Sequence, residues 1–141
     1  MSGVAESLDW LSERDIDPAA RIYAQVFAAH PEMERLFFSD RDGAIKANMI
    51  YRAFETVLDI DATNSYGTNF VGCEVVNHQN LGVAAAAFVS FYSIMRDVVR
   101  AELGDAWTPA MEEAWLGAIA RIGNTAAERI AQSNAPVTSL A

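Results

Sequence analysis

From Val75 to Met95 the chain contains no Asp, Glu, Lys or Arg, and inside that window sits His78, one of only two histidines in the protein. The apolar run Leu81–Met95 within it is shorter than the roughly 18 residues a membrane-spanning helix needs. It therefore predicts a buried helix of a globular domain. A histidine just before such a helix is either a satisfied core residue or a ligand, and residues elsewhere must decide between the two.

A length of 141 residues fits one domain, expected over 1–134, with 135–141 as a frayed C-terminal tail because Ser133 to Ala141 carries no core stripe. Hydrophobic residues make up 52% and charged residues 21%, so a sizeable core can form and disorder is excluded. A net charge of −9 excludes nucleic acid and anionic membrane surfaces as partners, since both require a basic footprint. The single cysteine, Cys73, forms no internal disulfide and has no basic neighbour in sequence to activate it. No signal peptide is visible, because Val4–Leu11 carries Glu6 and Asp9 where an apolar segment belongs. A reducing cytoplasm is the expected location.

The periodicity throughout is helical. Residues 5–14 predict a short amphipathic helix with Leu8 and Leu11 on one face. Asp17-Pro18 starts a second helix carrying Ile22, Val26 and Ala29 on one stripe, and His30-Pro31 ends it. Glu32–Phe38 reads as a tight helix delivering two adjacent phenylalanines, followed by a polar corner at Ser39–Gly43. Ala44–Ile60 is a clear helix through Met49, Ala53, Val57 and Ile60. Asp61–Gly72, rich in Asn, Ser, Thr and Gly, reads as a loop. A short helix at Cys73–His78 then leads into a long one with Phe88, Phe91, Tyr92, Met95, Val98 and Val99 at 3–4 spacing. Leu103-Gly104-Asp105 breaks it, and Thr108-Pro109 opens a last helix through Met111, Trp115, Ile119, Ile122, Ala126 and Ile130. The fold class is all-α, with six to eight helices. Nothing alternates with period two, and no repeat or linker divides the chain.

Three segments in order, I-Y-A-Q-V-F-A-A-H-P-E-M-E-R-L-F, N-H-Q-N-L-G-V and L-G-D-A-W-T-P-A-M-E-E-A-W, resemble motifs of the globin family. The resemblance is to bacterial single-domain haemoglobins and the globin domain of flavohaemoglobins, and spans about Asp17 to Ile130. It implies a globin fold around one haem b, iron protoporphyrin IX, with His78 as the proximal iron ligand. It implies haem contacts from Phe37, Val83, Phe88 and Phe91, and places His30 at a turn rather than on the metal. Tyr23 would point at the open coordination site, where a phenol can donate a hydrogen bond to a bound gas and slow its release by roughly five- to hundredfold, about 1–3 kcal/mol. Counting back from His78 by the family's spacing puts Lys46 at the gating position and Ile50 over the iron. Two roles stay open for Lys46: an ammonium swung toward a haem carboxylate or solvent, or, deprotonated, an internal sixth ligand; the nearby Met49 is the alternative sixth ligand.

Flavohaemoglobins carry a tyrosine ten residues past the proximal histidine and a glutamate late in the last helix. Those positions hold Phe88 and, near Ile130, no carboxylate closer than Glu128. The resemblance therefore implies reversible binding of a diatomic gas, oxygen first, for binding, storage or delivery, with no catalytic residue. Nitric oxide dioxygenation with a separate reductase, and a gas-sensor subunit, are the alternatives. The expected assembly is a monomer or homodimer, with no nucleic-acid or membrane partner. No Ser/His/Asp set, phosphate loop or Cys/His metal spacing is present.

Overall fold

The helix boundaries follow from caps and prolines. In the computed structural model, which describes residues 2–134, α1 spans Gly3–Glu13, α2 Ala19–Ala29, α3 Ala44–Asp61, α4 Tyr66–Asn80, α5 Ala85–Leu103 and α6 Pro109–Asn134. Short 3-10 helices occupy Pro31–Phe37 and Gly104–Ala106, and no strand occurs among the described residues. Asp17 accepts the Ala19 N–H at 3.0 Å, and Thr108 accepts the Met111 N–H at 3.1 Å, so both expected helix starts are capped by side-chain oxygens. The proposed tail at 135–141 lies outside the described residues, whereas Ser133 and Asn134 still belong to α6.

The core is built on α6. Its stripe of Met111, Trp115, Ala118, Ile122 and Ala126 is buried against α1, α3, α4 and α5. Trp115 is fully buried and its indole N–H donates to Ser7 Oγ at 2.9 Å, while Ser7 donates to the Val4 carbonyl at 2.7 Å. A polar pair is tolerated there because both donors are satisfied. The α2 stripe is Ile22, Tyr23 and Val26; Ala29, expected on it, is exposed at the helix end.

Two expectations are corrected. Asp61–Gly72 is not a loop: only 62–65 connect α3 to α4, and the helix begins at Tyr66. Composition there favours turns, but tertiary contact overrides it. Gly67 lies so close to α3 that a β-carbon would sit 2.7 Å from Ile60 Cγ1 and 2.9 Å from the Thr56 carbonyl oxygen, and its N–H donates to the Asp59 carboxylate at 2.5 Å. Nor does the His78 helix run on into the long one. Gly82 at φ +90° breaks the chain after α4, and the Val83 N–H turns back to the His78 carbonyl at 2.9 Å. This break leaves His78 in the last turn of α4, with the side chains of α5 packed beside it.

Candidate functional site

A cavity of about 560 Å³ opens between α2, α3, α4, α5 and the first 3-10 helix, and its lining is mostly apolar. That volume falls in the range of sites that enclose cofactor-sized ligands. Helix α4 turns one stripe toward it, Tyr66, Phe70, Glu74 and His78, each one helical turn from the next. Facing it, α3 presents Ile45, Met49, Arg52 and Ala53, while α5 contributes Phe88, Phe91 and Tyr92.

His78 is half-buried, and its Nδ1 lies 2.8 Å from the Glu74 carbonyl oxygen. A carbonyl only accepts, so this nitrogen carries the proton, and Nε2 is the nitrogen left for a metal. Phe88 packs beside the imidazole with ring centroids 5.1 Å apart, and Val83 also lines the cavity. A single imidazole is a one-point metal donor. Among the described residues no group of three or more His, Cys, Asp or Glu gathers to hold a metal ion.

Tyr23, on α2, lines the same cavity. Its ring packs against Phe37 and Phe91, with centroids 5.6 and 5.9 Å away, and its hydroxyl donates to the Lys46 carbonyl at 2.8 Å. Burial, and secondarily the charge of Asp40, push the phenol above its ordinary pKa. The group therefore stays neutral and remains a donor. Of the two adjacent phenylalanines, Phe37 reaches the cavity and Phe38 is 88% exposed.

The register of α3 differs from the one counted back from His78. Lys46 and Ile50 do not line the cavity; Ile45 and Met49, one residue earlier, do. Asp40 fixes the start of the helix, accepting the Ile45 N–H at 2.9 Å and the Lys46 N–H at 3.0 Å, and Gly43 at φ +79° makes the turn. A shift of one residue along a helix turns the face by about 100°. Lys46 instead lays its ammonium 5.5 Å from the Phe37 ring centre and 5.7 Å from that of Phe27, and Ile50 is buried in the core.

His30 ends α2 at the turn, as expected, yet it also lines the cavity. Its Nε2 lies 3.1 Å from Ser90 Oγ, whose proton goes to the Ala87 carbonyl at 2.8 Å. The imidazole is therefore the donor in this pair, and Ser90 is not activated as a nucleophile. Phe88 offers His78 no hydroxyl, and Glu128 faces a separate shallow groove with the exposed Cys73. Arg52, Tyr66, Phe70 and Glu74 were not anticipated. Stepping back from His78 in fours reaches the last three, and reading Asp61–Gly72 as a loop hides Tyr66 and Phe70.

Residues 20–126 match the globin family model, which covers well over half of the chain. No curated protein and no solved structure gives a significant match.

Proposed function

We propose that this chain, which belongs to the globin family, holds one haem in the cavity lined by α2, α3, α4 and α5 and reversibly binds a diatomic gas there, oxygen first. The observation that carries the proposal is the His78 tautomer. Its Nδ1 is held at the Glu74 carbonyl, and His78 lines a mostly apolar cavity with Nε2 as the nitrogen left to bind iron. The donor set fits the group: one imidazole, aromatic walls from Phe37, Phe88 and Phe91, and the Arg52 guanidinium in the wall as a partner for porphyrin carboxylates. When bound, the haem would supply an iron able to take up a diatomic gas.

The chain's residues do the rest. His78 would hold the iron from α4, with Phe37, Phe88 and Phe91 against the porphyrin. Tyr23, neutral and lining the same cavity, supplies a hydrogen-bond donor for a polar gas ligand once it leaves the Lys46 carbonyl. Met49, lining the cavity from α3, is the internal side chain that could compete with a gas for the iron. Lys46, off the cavity wall, is not placed for that role.

Storage or delivery is favoured over nitric oxide dioxygenation because the position ten residues past His78 is Phe88, which packs beside the imidazole and offers it no hydroxyl. Haem-reconstituted, reduced protein is expected to change its absorption spectrum under oxygen and return to the starting spectrum when oxygen is removed. Rapid consumption of nitric oxide by the oxygenated protein with a reductant would shift the assignment to an enzyme. A change of oligomeric state on gas binding would shift it to a sensor.

No helix among the described residues is long and apolar enough to cross a membrane.

A further inference from the structure

The first turn of α3 starts without a capping side chain of its own. Gly43 stands at the cap position with φ +79°, so the free N–H groups of Ala44, Ile45 and Lys46 need acceptors from elsewhere. Asp42 accepts the Ala44 N–H at 3.1 Å. Asp40 takes the other two, Oδ1 from Ile45 at 2.9 Å and Oδ2 from Lys46 at 3.0 Å. The carbonyl of that same Lys46 accepts the Tyr23 hydroxyl at 2.8 Å. Asp40 is itself anchored, its N–H donating to the Phe37 carbonyl at 2.9 Å, and the Phe37 ring packs on Tyr23 with centroids 5.6 Å apart. Phe37, Asp40, Lys46 and Tyr23 thus close one loop of contacts beside the cavity. Burial first, and the Asp40 charge second, raise the Tyr23 pKa, so the carboxylate lies within electrostatic reach of the phenol.

We propose that Asp40 is a positioning residue that sets how readily Tyr23 turns its hydroxyl to a bound gas, by holding the Lys46 carbonyl against the phenol. The inference rests on the haem reading above and concerns the availability of the Tyr23 donor. A carboxylate that accepts two main-chain N–H groups makes charge-assisted bonds, and it sits where the positive end of the helix dipole favours it. The first turn of α3 is therefore held firmly, and the Lys46 carbonyl stays engaged with the Tyr23 proton. A gas then gains the phenol's hydrogen bond only at the expense of the existing one. Without the Asp40 carboxylate the first turn frays, the carbonyl withdraws, and Tyr23 donates to the gas with no competitor. Asp40 thus keeps the cavity wall ordered while weakening the hold on the gas.

The test uses the full chain, haem-free and haem-reconstituted, as wild type, Asp40→Ala and Asp40→Asn, each with and without Tyr23→Phe. Asparagine keeps one acceptor oxygen and removes the charge, so it carries the comparison if the alanine variant folds poorly. In haem-free Asp40→Ala, amide hydrogen exchange at Ile45 and Lys46 is expected to speed up by roughly fivefold, the loss of one helix cap. In the haem-reconstituted variant, oxygen release is expected to slow by roughly two- to tenfold, part of what one full hydrogen bond carries. Asp40→Asn is expected to fall between wild type and Asp40→Ala in both. With Tyr23→Phe present, Asp40→Ala should no longer slow release, because the effect runs through the phenol. Unchanged exchange at Ile45 and Lys46, unchanged or faster release, or equal slowing with Tyr23→Phe present would overturn this inference and leave the haem reading standing. Wild-type protein that takes up no haem would overturn both.

Discussion

The Tyr23 hydroxyl donates to the main-chain carbonyl of Lys46 across the gap between α2 and α3, at 2.8 Å. The contact ties the wall that carries the phenol to the first turn of the helix that faces His78. It also means that Tyr23 has an acceptor before any gas arrives. On the proposed function, a bound gas would compete for the same proton.

Tyr23→Phe therefore has two expected effects. In gas-free protein it removes one half-buried hydrogen bond and lowers stability by about 1 kcal/mol, read as a shift in urea midpoint. In haem-reconstituted protein it speeds oxygen release by roughly five- to hundredfold, about 1–3 kcal/mol, read by stopped flow. An unchanged release rate would mean that Tyr23 keeps its bond to Lys46 throughout.

The register of α3 makes a second prediction. Met49 faces the cavity and Lys46 does not. Met49→Ala should alter gas affinity and the coordination of the reduced iron. Lys46→Ala should leave both close to wild type and cost only the ammonium's contact with Phe27 and Phe37, about 0.5–1 kcal/mol. The opposite pattern in absorption spectra and gas affinity would restore the register counted from His78.

Much of this fold is legible in the sequence, and the failures have physical reasons. Asp17, Pro31 and Thr108 mark helix boundaries through local chemistry, and all three boundaries stand. The stripe Ala53, Val57 and Ile60 is buried because hydrophobic period alone decides it. His78, Tyr23 and Phe37 come together at one cavity. The start of α4 is illegible because Gly67 is needed for close packing on α3, a contact that local composition does not show. The face of α3 is illegible because the Asp40 cap fixes where the helix starts, and counting from motifs cannot see it. Ser7 pairs with Trp115 across 108 residues of sequence, beyond the reach of any local pattern.

Two glycines of α4 provide a paired test of that packing. Gly67→Ala drives a β-carbon against Ile60 and the Thr56 carbonyl and is expected to destabilise by about 1–3 kcal/mol. Gly72→Ala meets nothing within 4 Å and sits inside the same helix, so it is expected to be neutral or stabilising by up to about 1 kcal/mol. Thermal or urea unfolding of both variants provides the comparison. Equal effects would contradict the close approach of α4 to α3.

Ser7→Ala leaves the buried Trp115 indole N–H without its acceptor, at a cost of about 1–3 kcal/mol. Adding Trp115→Phe removes the orphaned donor, so the double variant should cost less than the two single variants together. Additive costs would show that the pair is not coupled.

Acid should loosen the α5–α6 contact. The Glu112 carboxylate accepts the Trp107 indole N–H at 2.7 Å and pairs with Arg96, which together hold its pKa below the ordinary value of 4.5. A depressed folded-state pKa adds stability above the unfolded value and loses it as pH falls through the folded one. Unfolding midpoints below about pH 4.5 should therefore fall less steeply in Glu112→Gln than in wild type. Parallel pH profiles would remove Glu112 from that linkage.

The most direct measurement is haem uptake by His78→Gly with and without added imidazole, followed by absorption spectroscopy beside wild type. Wild type is expected to take up one haem and show five-coordinate ferrous iron, or six-coordinate iron if Met49 binds. The glycine variant should lose that spectrum and recover it when imidazole fills the vacated space. A His78→Gly spectrum identical to wild type, or a wild-type chain that takes up no haem, would contradict the assignment of His78 as the iron ligand.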